Sequence, residues 1–222
     1  RASAMNRLLF EKTGDAVWIS HLDLMRVFQR AFRRAGLLLH HTEGFNQRAY
    51  VSLALPLSVG TASGCEILDY ALDTPCGPDE LRQRLNAALP SGIRVLEVYE
   101  SPRKLKELVY LHAAVTLEYD GGVPAGAEEA LTALFARETL PVEKTSKKGV
   151  SEVDLIPMLH RLTVRRLSGQ ELELDAVVTA QNPSLNPMQL PVAIARYAPE
   201  LTPDFAKCRR LEVLDAAENP FR

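Results

Sequence analysis

Long apolar segments are absent from this sequence. No run reaches the roughly 18 consecutive apolar residues that identify a membrane-spanning helix, so we expect a cytoplasmic protein that does not enter the membrane. Cysteine is scarce: the 222 residues contain three, at wide spacing, Cys65, Cys76 and Cys208. They form neither a Cys-x-x-Cys pair nor the close triad that holds an iron–sulfur cluster. We therefore expect three reduced thiols, as in a cytosolic protein, and no cofactor in this chain.

A large excess of one charge is also lacking. The chain has 26 Lys and Arg against 28 Asp and Glu, a formal net charge of -2. Binding of nucleic acid through bulk charge is excluded, and such a function would need a local basic patch. The motifs of common catalytic sites do not occur either: we find no Walker loop, no GxGxxG, no nucleophile elbow and no HExxH. The sequence therefore favours a protein without catalytic activity of its own.

What the sequence does contain is a strongly signalled helix after Ser20. Ser20 is a suitable N-cap with Asp23 three residues later, and Gly36 stands where the helix is expected to end. Four arginines fall at i, i+4, i+7 and i+8, on or near one face: Arg26, Arg30, Arg33 and Arg34. Guanidinium groups match phosphate oxygens, so this face is a candidate surface for RNA or another anion. The alternative is a solvated face paired with acids elsewhere in the fold.

Two further segments are candidates for RNA or anion binding. The turn Gly44-Phe45-Asn46 can present backbone N–H groups and an aromatic ring for stacking on a base, with Arg48 close behind;. The alternative for Phe45 is a side chain that fills the core. The second segment is a predicted exposed basic loop with Lys144, Lys147 and Lys148, for which the alternative is a loop that is merely solvated.

Three histidines near the ends of the predicted helix are weak catalytic candidates. They are His21, His40 and His41, and an imidazole beside a phosphate can act as acid or base in RNA cleavage;. His21 can equally serve as a local hydrogen-bonding group at the helix start. His40 and His41 would point to opposite faces of a strand, which argues against a shared metal, so no metal site is expected.

The pattern of elements predicts an α+β fold of two ferredoxin-like (βαββαβ) halves, each an antiparallel sheet backed by helices. The first half would contain a strand or hairpin at 6–19, the capped helix, strands at 47–57 and 66–73, a helix at 77–89 and a strand at 93–99. The second half would contain a strand at 109–119, a helix at 126–138, strands at 153–167 and 171–179, a helix at 187–197 and a strand at 208–214. We predict domains at 5–103 and 104–222, meeting in a short basic junction at 101–107.

Several of these segments resemble the radical-SAM-linked protein family (domain of unknown function 2344). The segments are SHLDLMRVFQRAFRRAGL, EGFN, SLALPLSVG, EILDYAL, DELRQRLNAALP and TSKKGVSEVDLIPML, and the similarity extends over nearly all of residues 5–215. Members are companions or C-terminal domains of B12-binding radical-SAM proteins. The resemblance implies a radical-SAM partner encoded nearby, which would carry an iron–sulfur cluster, S-adenosylmethionine and, in B12-binding partners, cobalamin.

One departure from the family pattern affects the expected chemistry. Members commonly continue the Gly-Phe-Asn turn with Pro-His-Pro and a lysine, whereas this chain continues with Gln47-Arg48-Ala49-Tyr50. This chain lacks that histidine, so a catalytic role of the histidine in the family cannot be transferred to it. Three hypotheses therefore stand: an accessory module that binds tRNA or rRNA, a metal-independent endoribonuclease, and an adaptor that only binds the partner protein.

Overall fold

The computed structural model describes residues 4–222, in which four α-helices and ten β-strands form a mixed α/β fold with mainly antiparallel sheets. Contacts divide these residues into two compact units. Unit 1 comprises residues 4–108 together with Pro220–Arg222, and unit 2 comprises Val109–Asn219. The predicted boundary lay between 103 and 104; the contacts divide between 108 and 109 and return the last three residues to unit 1. In this part of the chain, no helix has both the length and the apolar character needed to cross a membrane.

Unit 1 is a small antiparallel sheet with two helices. Its sheet has the order β4-β1-β3, with a short strand β2 on the other side of β3. The elements are β1 (Met5–Lys12), α1 (His21–Arg34), β2 (Val51–Leu53), β3 (Ala62–Tyr70), α2 (Pro78–Ala88) and β4 (Ile93–Ser101). Short 3-10 turns at Gly14–Trp18 and Leu105–Glu107 complete the unit.

Helix α1 begins and ends for local reasons that the sequence already contains. The Ser20 hydroxyl accepts a hydrogen bond from the Asp23 N–H at 3.2 Å, which satisfies one of the free amides of the first turn;. Phe28 and Phe32 lie on the buried face, and the Phe28 ring meets Phe10 of β1 edge-on at 4.7 Å between centroids. Gly36 follows the helix with φ +70°, a left-handed conformation that favours glycine;. Burial of one face against β1 therefore fixes which residues the helix exposes.

In unit 2, four antiparallel strands have the order β10-β5-β9-β8, and β6 and β7 form a separate hairpin. Strand β5 alternates buried and half-buried residues along its whole length, as expected for a strand with one face in a core;. The elements are β5 (Tyr110–Glu118), α3 (Ala127–Phe135), β6 (Pro141–Ser146), β7 (Gly149–Asp154), β8 (Leu159–Arg166), β9 (Glu171–Thr179), α4 (Gln189–Tyr197) and β10 (Phe205–Leu214).

Two predicted elements are wrong in ways that the structure explains. The strand expected at 153–167 is broken between β7 and β8 by a 3-10 turn, Ile156–Met158. Asp154 fixes this turn, because its Oδ1 accepts hydrogen bonds from the N–H groups of Leu140 at 2.7 Å and Ile156 at 3.1 Å. The strand expected at 47–57 is reduced to Val51–Leu53, and residues 40–50 instead fold back on themselves.

A buried arginine links the strands of unit 1. The Arg7 guanidinium is inaccessible to solvent and forms two hydrogen bonds with the Asp69 carboxylate, Nε to Oδ1 at 2.6 Å and Nη2 to Oδ2 at 3.1 Å. It also donates to the Ser101 hydroxyl at 3.0 Å and to the Arg103 carbonyl at 2.6 Å. The ring of Phe221 lies 5.2 Å from the Arg7 guanidinium carbon. One side chain thus connects β1, β3, β4 and the last residues of the chain.

Substitution of Asp69 by Ala should destabilise unit 1 strongly. The Arg7 charge would stay buried without its counter-ion, a change that costs about 3–5 kcal/mol of unfolding free energy. Urea unfolding followed by the fluorescence of Trp18, the single tryptophan and a residue of unit 1, measures this cost.

The matched control is Glu11→Ala, which removes the partner of Arg94 in an exposed ion pair of the same unit. We expect it to change stability by no more than about 1 kcal/mol. The double variant Arg7→Met/Asp69→Ala should recover part of the loss, because it removes the buried charge. Equal effects of Asp69→Ala and Glu11→Ala would contradict the structural role of the buried pair.

Candidate functional site

Helix α1 exposes a basic face on the side opposite its apolar residues. We define the arginine face as Arg26, Arg30, Arg33 and Arg34, all of which are solvent-exposed. Arg26 forms an ion pair with Asp23 at 3.1 Å, whereas Arg30, Arg33 and Arg34 have no side-chain hydrogen bond or ion pair with any residue between 4 and 222. The expected alternative, pairing with acids elsewhere in the fold, does not hold for these three side chains.

Several exposed arginines on other elements behave differently. Five of them form ion pairs with a carboxylate: Arg94 with Glu11, Arg161 with Glu218, Arg165 with Glu173, Arg166 with Glu128 and Arg196 with Glu152. On α1, Arg33 and Arg34 lie in the last turn, where the helix dipole favours a positive charge;. That local effect is small, and it leaves the guanidinium forks available for an external anion.

Residues 40–50 form a projecting loop directly after α1, which we call the GFN loop. Its two arms are joined by backbone hydrogen bonds, from the Tyr50 N–H to the His40 carbonyl at 2.7 Å and from the Thr42 N–H to the Arg48 carbonyl at 2.9 Å. The Thr42 hydroxyl also accepts from the Arg48 N–H at 3.1 Å. These bonds hold the loop in a defined, hairpin-like form although few of its residues are buried.

The tip of the GFN loop presents an aromatic ring to solvent. Gly44 has φ +117°, a conformation that side chains rarely adopt, and it turns the chain at the tip;. Phe45 is fully exposed, and Asn46 and Arg48 are exposed beside it. The interpretation of Phe45 as a side chain that fills the core is therefore wrong. An exposed phenylalanine followed by an amide and a guanidinium is suited to stacking on a base next to a phosphate.

One of the three candidate histidines has a carboxylate partner. His40 lies at the base of the GFN loop, and its Nδ1 is 2.8 Å from Oδ1 of Asp73, with both side chains about half exposed. The sequence alone does not indicate that Asp73 pairs with His40, because the two are 33 residues apart and no local motif connects them. The pairing arises because Asp73 N–H bonds to the Leu38 carbonyl at 3.0 Å, which aligns the two segments.

The other two histidines are held differently. His41 Nδ1 is 3.0 Å from the Leu39 carbonyl, which is a local bond within its own segment. His21, at the start of α1, has a buried Nδ1 with no hydrogen-bond partner among residues 4–222. The structure thus does not unite the three histidines in one site. Across the same residues, no three His, Cys, Asp or Glu side chains are grouped so as to hold a metal ion.

The lysine candidates belong to the hairpin of unit 2 and not to an irregular loop. Lys144 lies on β6, and Lys147 and Lys148 form the turn between β6 and β7. All three are exposed and have no acidic partner among the described residues. They belong to a different unit from the arginine face and the GFN loop, so they form a second basic surface.

Two of the three cysteines, Cys76 and Cys208, are not activated nucleophiles. All three are free thiols. Burial raises the pKa of the Cys208 thiol to about 11, and burial together with Glu80 also raises the pKa of Cys76. A thiol needs a lowered pKa to react readily at neutral pH. The groups of this site that could bind a ligand or transfer a proton are therefore its cations, the exposed ring and the His40–Asp73 pair.

Comparison with solved structures concerns the fold. The chain is similar to a chain in "Crystal Structure of a Cbf5-Nop10-Gar1 Complex", with a TM-score of 0.51 and 9% identity over 94% of this chain and 49% of that chain. It also matches "Crystal structure of the archaeal box H/ACA sRNP Nop10-Cbf5 complex", with a TM-score of 0.43 and 10% identity over 93% of this chain and 47% of that one. The chain thus spans about half the length of these structures. At such low identity the first similarity concerns the fold alone, and the second is too weak to interpret.

Sequence comparison identifies the family. Among curated proteins, none matches the chain. A family model described as "Uncharacterized protein conserved in bacteria (DUF2344)" matches residues 6–187. This match includes the arginine face, the GFN loop and the hairpin lysines. The chain therefore belongs to the DUF2344 family of uncharacterized proteins conserved in bacteria.

Proposed function

We propose that this protein is a cytoplasmic accessory module that binds RNA, such as tRNA or rRNA, and has no catalytic activity of its own. The observation that carries the proposal is the set of unpaired guanidinium groups on α1, Arg30, Arg33 and Arg34. Like charges on one face repel one another, which raises the free energy of the unbound protein. A polyphosphate would relieve the repulsion and accept bidentate hydrogen bonds.

The GFN loop favours RNA over a simple anion as the ligand. Phosphate binding alone does not require a solvent-exposed aromatic ring, whereas single-stranded RNA presents unstacked bases that stack on such rings. Phe45 is fully exposed at the tip, with Arg48 in the same loop. In this proposal the arginine face and Arg48 contact the backbone, and Phe45 contacts a base.

The proposal includes a partner and a fold assignment. The motif resemblance supports a radical-SAM enzyme as the protein to which this module presents RNA, and a radical-SAM gene beside the gene for this chain would support the pairing.

Each unit is assigned as a ferredoxin-like module. The strand order β4-β1-β3-β2 in unit 1 and β10-β5-β9-β8 in unit 2 supports this assignment.

RNA affinity should depend on salt through the arginine face. If about four phosphates are contacted, log affinity falls against log salt with a slope of about 0.7 per phosphate for single strands. Arg30→Gln/Arg34→Gln should weaken binding and reduce the slope by about 0.7 for each arginine removed. Filter binding of total cellular RNA across a salt series measures both quantities.

The matched control is Arg94→Gln/Arg165→Gln, which removes the same charge from two exposed arginines that already have acidic partners. We expect this variant to keep the wild-type slope. An RNA affinity that does not change with salt, no binding at low salt, or an equal loss of affinity in both double variants would refute binding through α1.

Replacing the exposed ring should weaken RNA binding without affecting the fold. Phe45→Ala removes a stacking partner that contributes about 1–3 kcal/mol per base, and it removes no buried contact. Phe45→Trp should retain the affinity for RNA, whereas Phe45→Leu should resemble the Ala variant. Fluorescence anisotropy with a short single-stranded RNA measures the affinities, and thermal unfolding checks the fold. Wild-type affinity in Phe45→Leu would exclude stacking.

A second candidate function, metal-independent RNA cleavage, is favoured by the His40–Asp73 pair. A carboxylate on Nδ1 orients an imidazole and leaves Nε2 available for proton transfer;. We expect structured RNA to remain intact with the wild-type protein in the presence of a chelator. Cleavage by the wild type that is lost in both His40→Ala and Asp73→Asn would replace the non-catalytic proposal with a nuclease.

A further inference from the structure

Unit 2 contains a pocket of about 380 Å³ at the base of the β6–β7 hairpin. Its apolar lining comes from the hairpin, the 3-10 turn and the segment before α4: Val142, Val153, Leu155, Met158 and Leu185. Its polar lining consists of Glu143, Lys144, Thr145, Ser184, Asn186 and Gln189. The volume lies near the lower end of the range for small-molecule sites, about 300–1,000 Å³, so the pocket suits one small group and not a large ligand.

The pocket contains hydrogen-bonding capacity that the protein does not use. The Oε1 of Gln189 is buried and has no hydrogen-bond partner among residues 4–222. A buried acceptor without a partner carries a desolvation cost that a donor from a ligand would offset. Nearby, the Oδ1 of Asn186 accepts from the Met188 N–H at 3.0 Å, which orients this amide at the pocket wall. Amide side chains supply both donors and acceptors, as the edges of nucleobases do.

The charges around the pocket favour a phosphate at its mouth. Lys144 lines the pocket, and Lys147 and Lys148 extend the positive charge to the tip of the same hairpin. None of the three has an acidic partner in the described chain. Glu143 also lines the pocket and offsets one of these charges. Of the charged residues that line the pocket, Lys144 and Glu143 balance each other, so the excess positive charge comes from Lys147 and Lys148 in the turn of the hairpin;.

We propose that this pocket binds a single nucleotide of an RNA strand, with the base inside and its phosphate on the hairpin lysines. The base would lie among Met158, Leu185 and the valine side chains, and its polar edge would donate a hydrogen bond to Gln189 Oε1. This inference rests on the proposed function, because the nucleotide belongs to the bound RNA. It adds a second site, in a different unit, that selects among bases, whereas the arginine face contacts backbone common to every sequence.

Methyl NMR can observe both sites in one sample. The chain has four methionines. Met158 lines the pocket, whereas Met25 lies on α1 next to Arg26 in the sequence, so ¹³C-methyl labelling of methionine reports the pocket and the helix separately. The probes are the four nucleoside 5′-monophosphates, added singly up to the millimolar range typical of weak ligands. Ribose 5-phosphate, which has the phosphate but no base, is the negative probe.

We expect at least one monophosphate to shift the Met158 signal, one base to bind more tightly than the others, and ribose 5-phosphate to have no effect on Met158. Gln189→Leu should weaken binding of the preferred base by about 10-fold, because the base loses its acceptor. Gln83→Leu, the same change at an exposed position of α2, should leave binding unchanged. Ser184→Trp, which fills the mouth of the pocket, should abolish the shift and provides an independent test if Gln189→Leu folds poorly.

The outcomes separate this inference from the proposed function. Three outcomes would overturn the pocket assignment. The first is a Met158 signal that none of the four monophosphates shifts, and the second is an equal shift with ribose 5-phosphate. The third is wild-type binding in well-folded Gln189→Leu or Ser184→Trp protein. RNA that shifts Met25 under those circumstances would leave binding through α1 intact. If the Met158 signal shifts in a base-dependent way while RNA leaves the Met25 signal unchanged, the result would support the pocket and refute binding through the arginine face.

Discussion

The fold of unit 1 depends on the burial of one charged side chain, Arg7. A guanidinium removed from water is tolerated only when its donors are satisfied. Here the Asp69 carboxylate on β3 accepts from it, as do the Ser101 hydroxyl and the Arg103 carbonyl at the end of β4 and just beyond it. Because these acceptors are specific in position, the pair also fixes the register of β1 against β3 and β4. Helix α1 packs on β1 through Phe10 and Phe28, so the orientation of its exposed face follows from this arrangement.

Arg7 and three arginines of α1 show two opposite situations in unit 1. Arg7 has its hydrogen-bonding capacity satisfied inside the protein, whereas Arg30, Arg33 and Arg34 on α1 have theirs directed outward without a protein partner. Most exposed ion pairs contribute little to stability, so their absence from α1 costs the fold little. The same absence would favour the proposed binding, because no intramolecular pair would have to be broken before a phosphate is bound. The two basic surfaces of the chain, on α1 and on the β6–β7 hairpin, share this property.

Local signals were sufficient to predict some parts of the molecule. The Ser20 cap, the spacing of the arginines and the strand expected at 109–119 depend on neighbours in sequence, and they appear in the structure as expected. The hairpin β6–β7 was missed because its strands are short and largely exposed, so they lack the alternation that marks a half-buried strand;. The His40–Asp73 pair and the pocket around Gln189 depend on segments that meet only in the folded chain. Contacts between segments that are distant in sequence cannot be predicted from a local sequence pattern.

The return of Pro220–Arg222 to unit 1 has a consequence for biosynthesis. Phe221 is completely buried, lies against the guanidinium of Arg7 and belongs to unit 1, although all of unit 2 precedes it in the chain. During translation, the β1, β3 and β4 strands therefore leave the ribosome well before the residue that covers their buried charge. Unit 1 is thus completed only after unit 2 has been synthesised, and unit 2 can fold before Phe221 covers the Arg7 site.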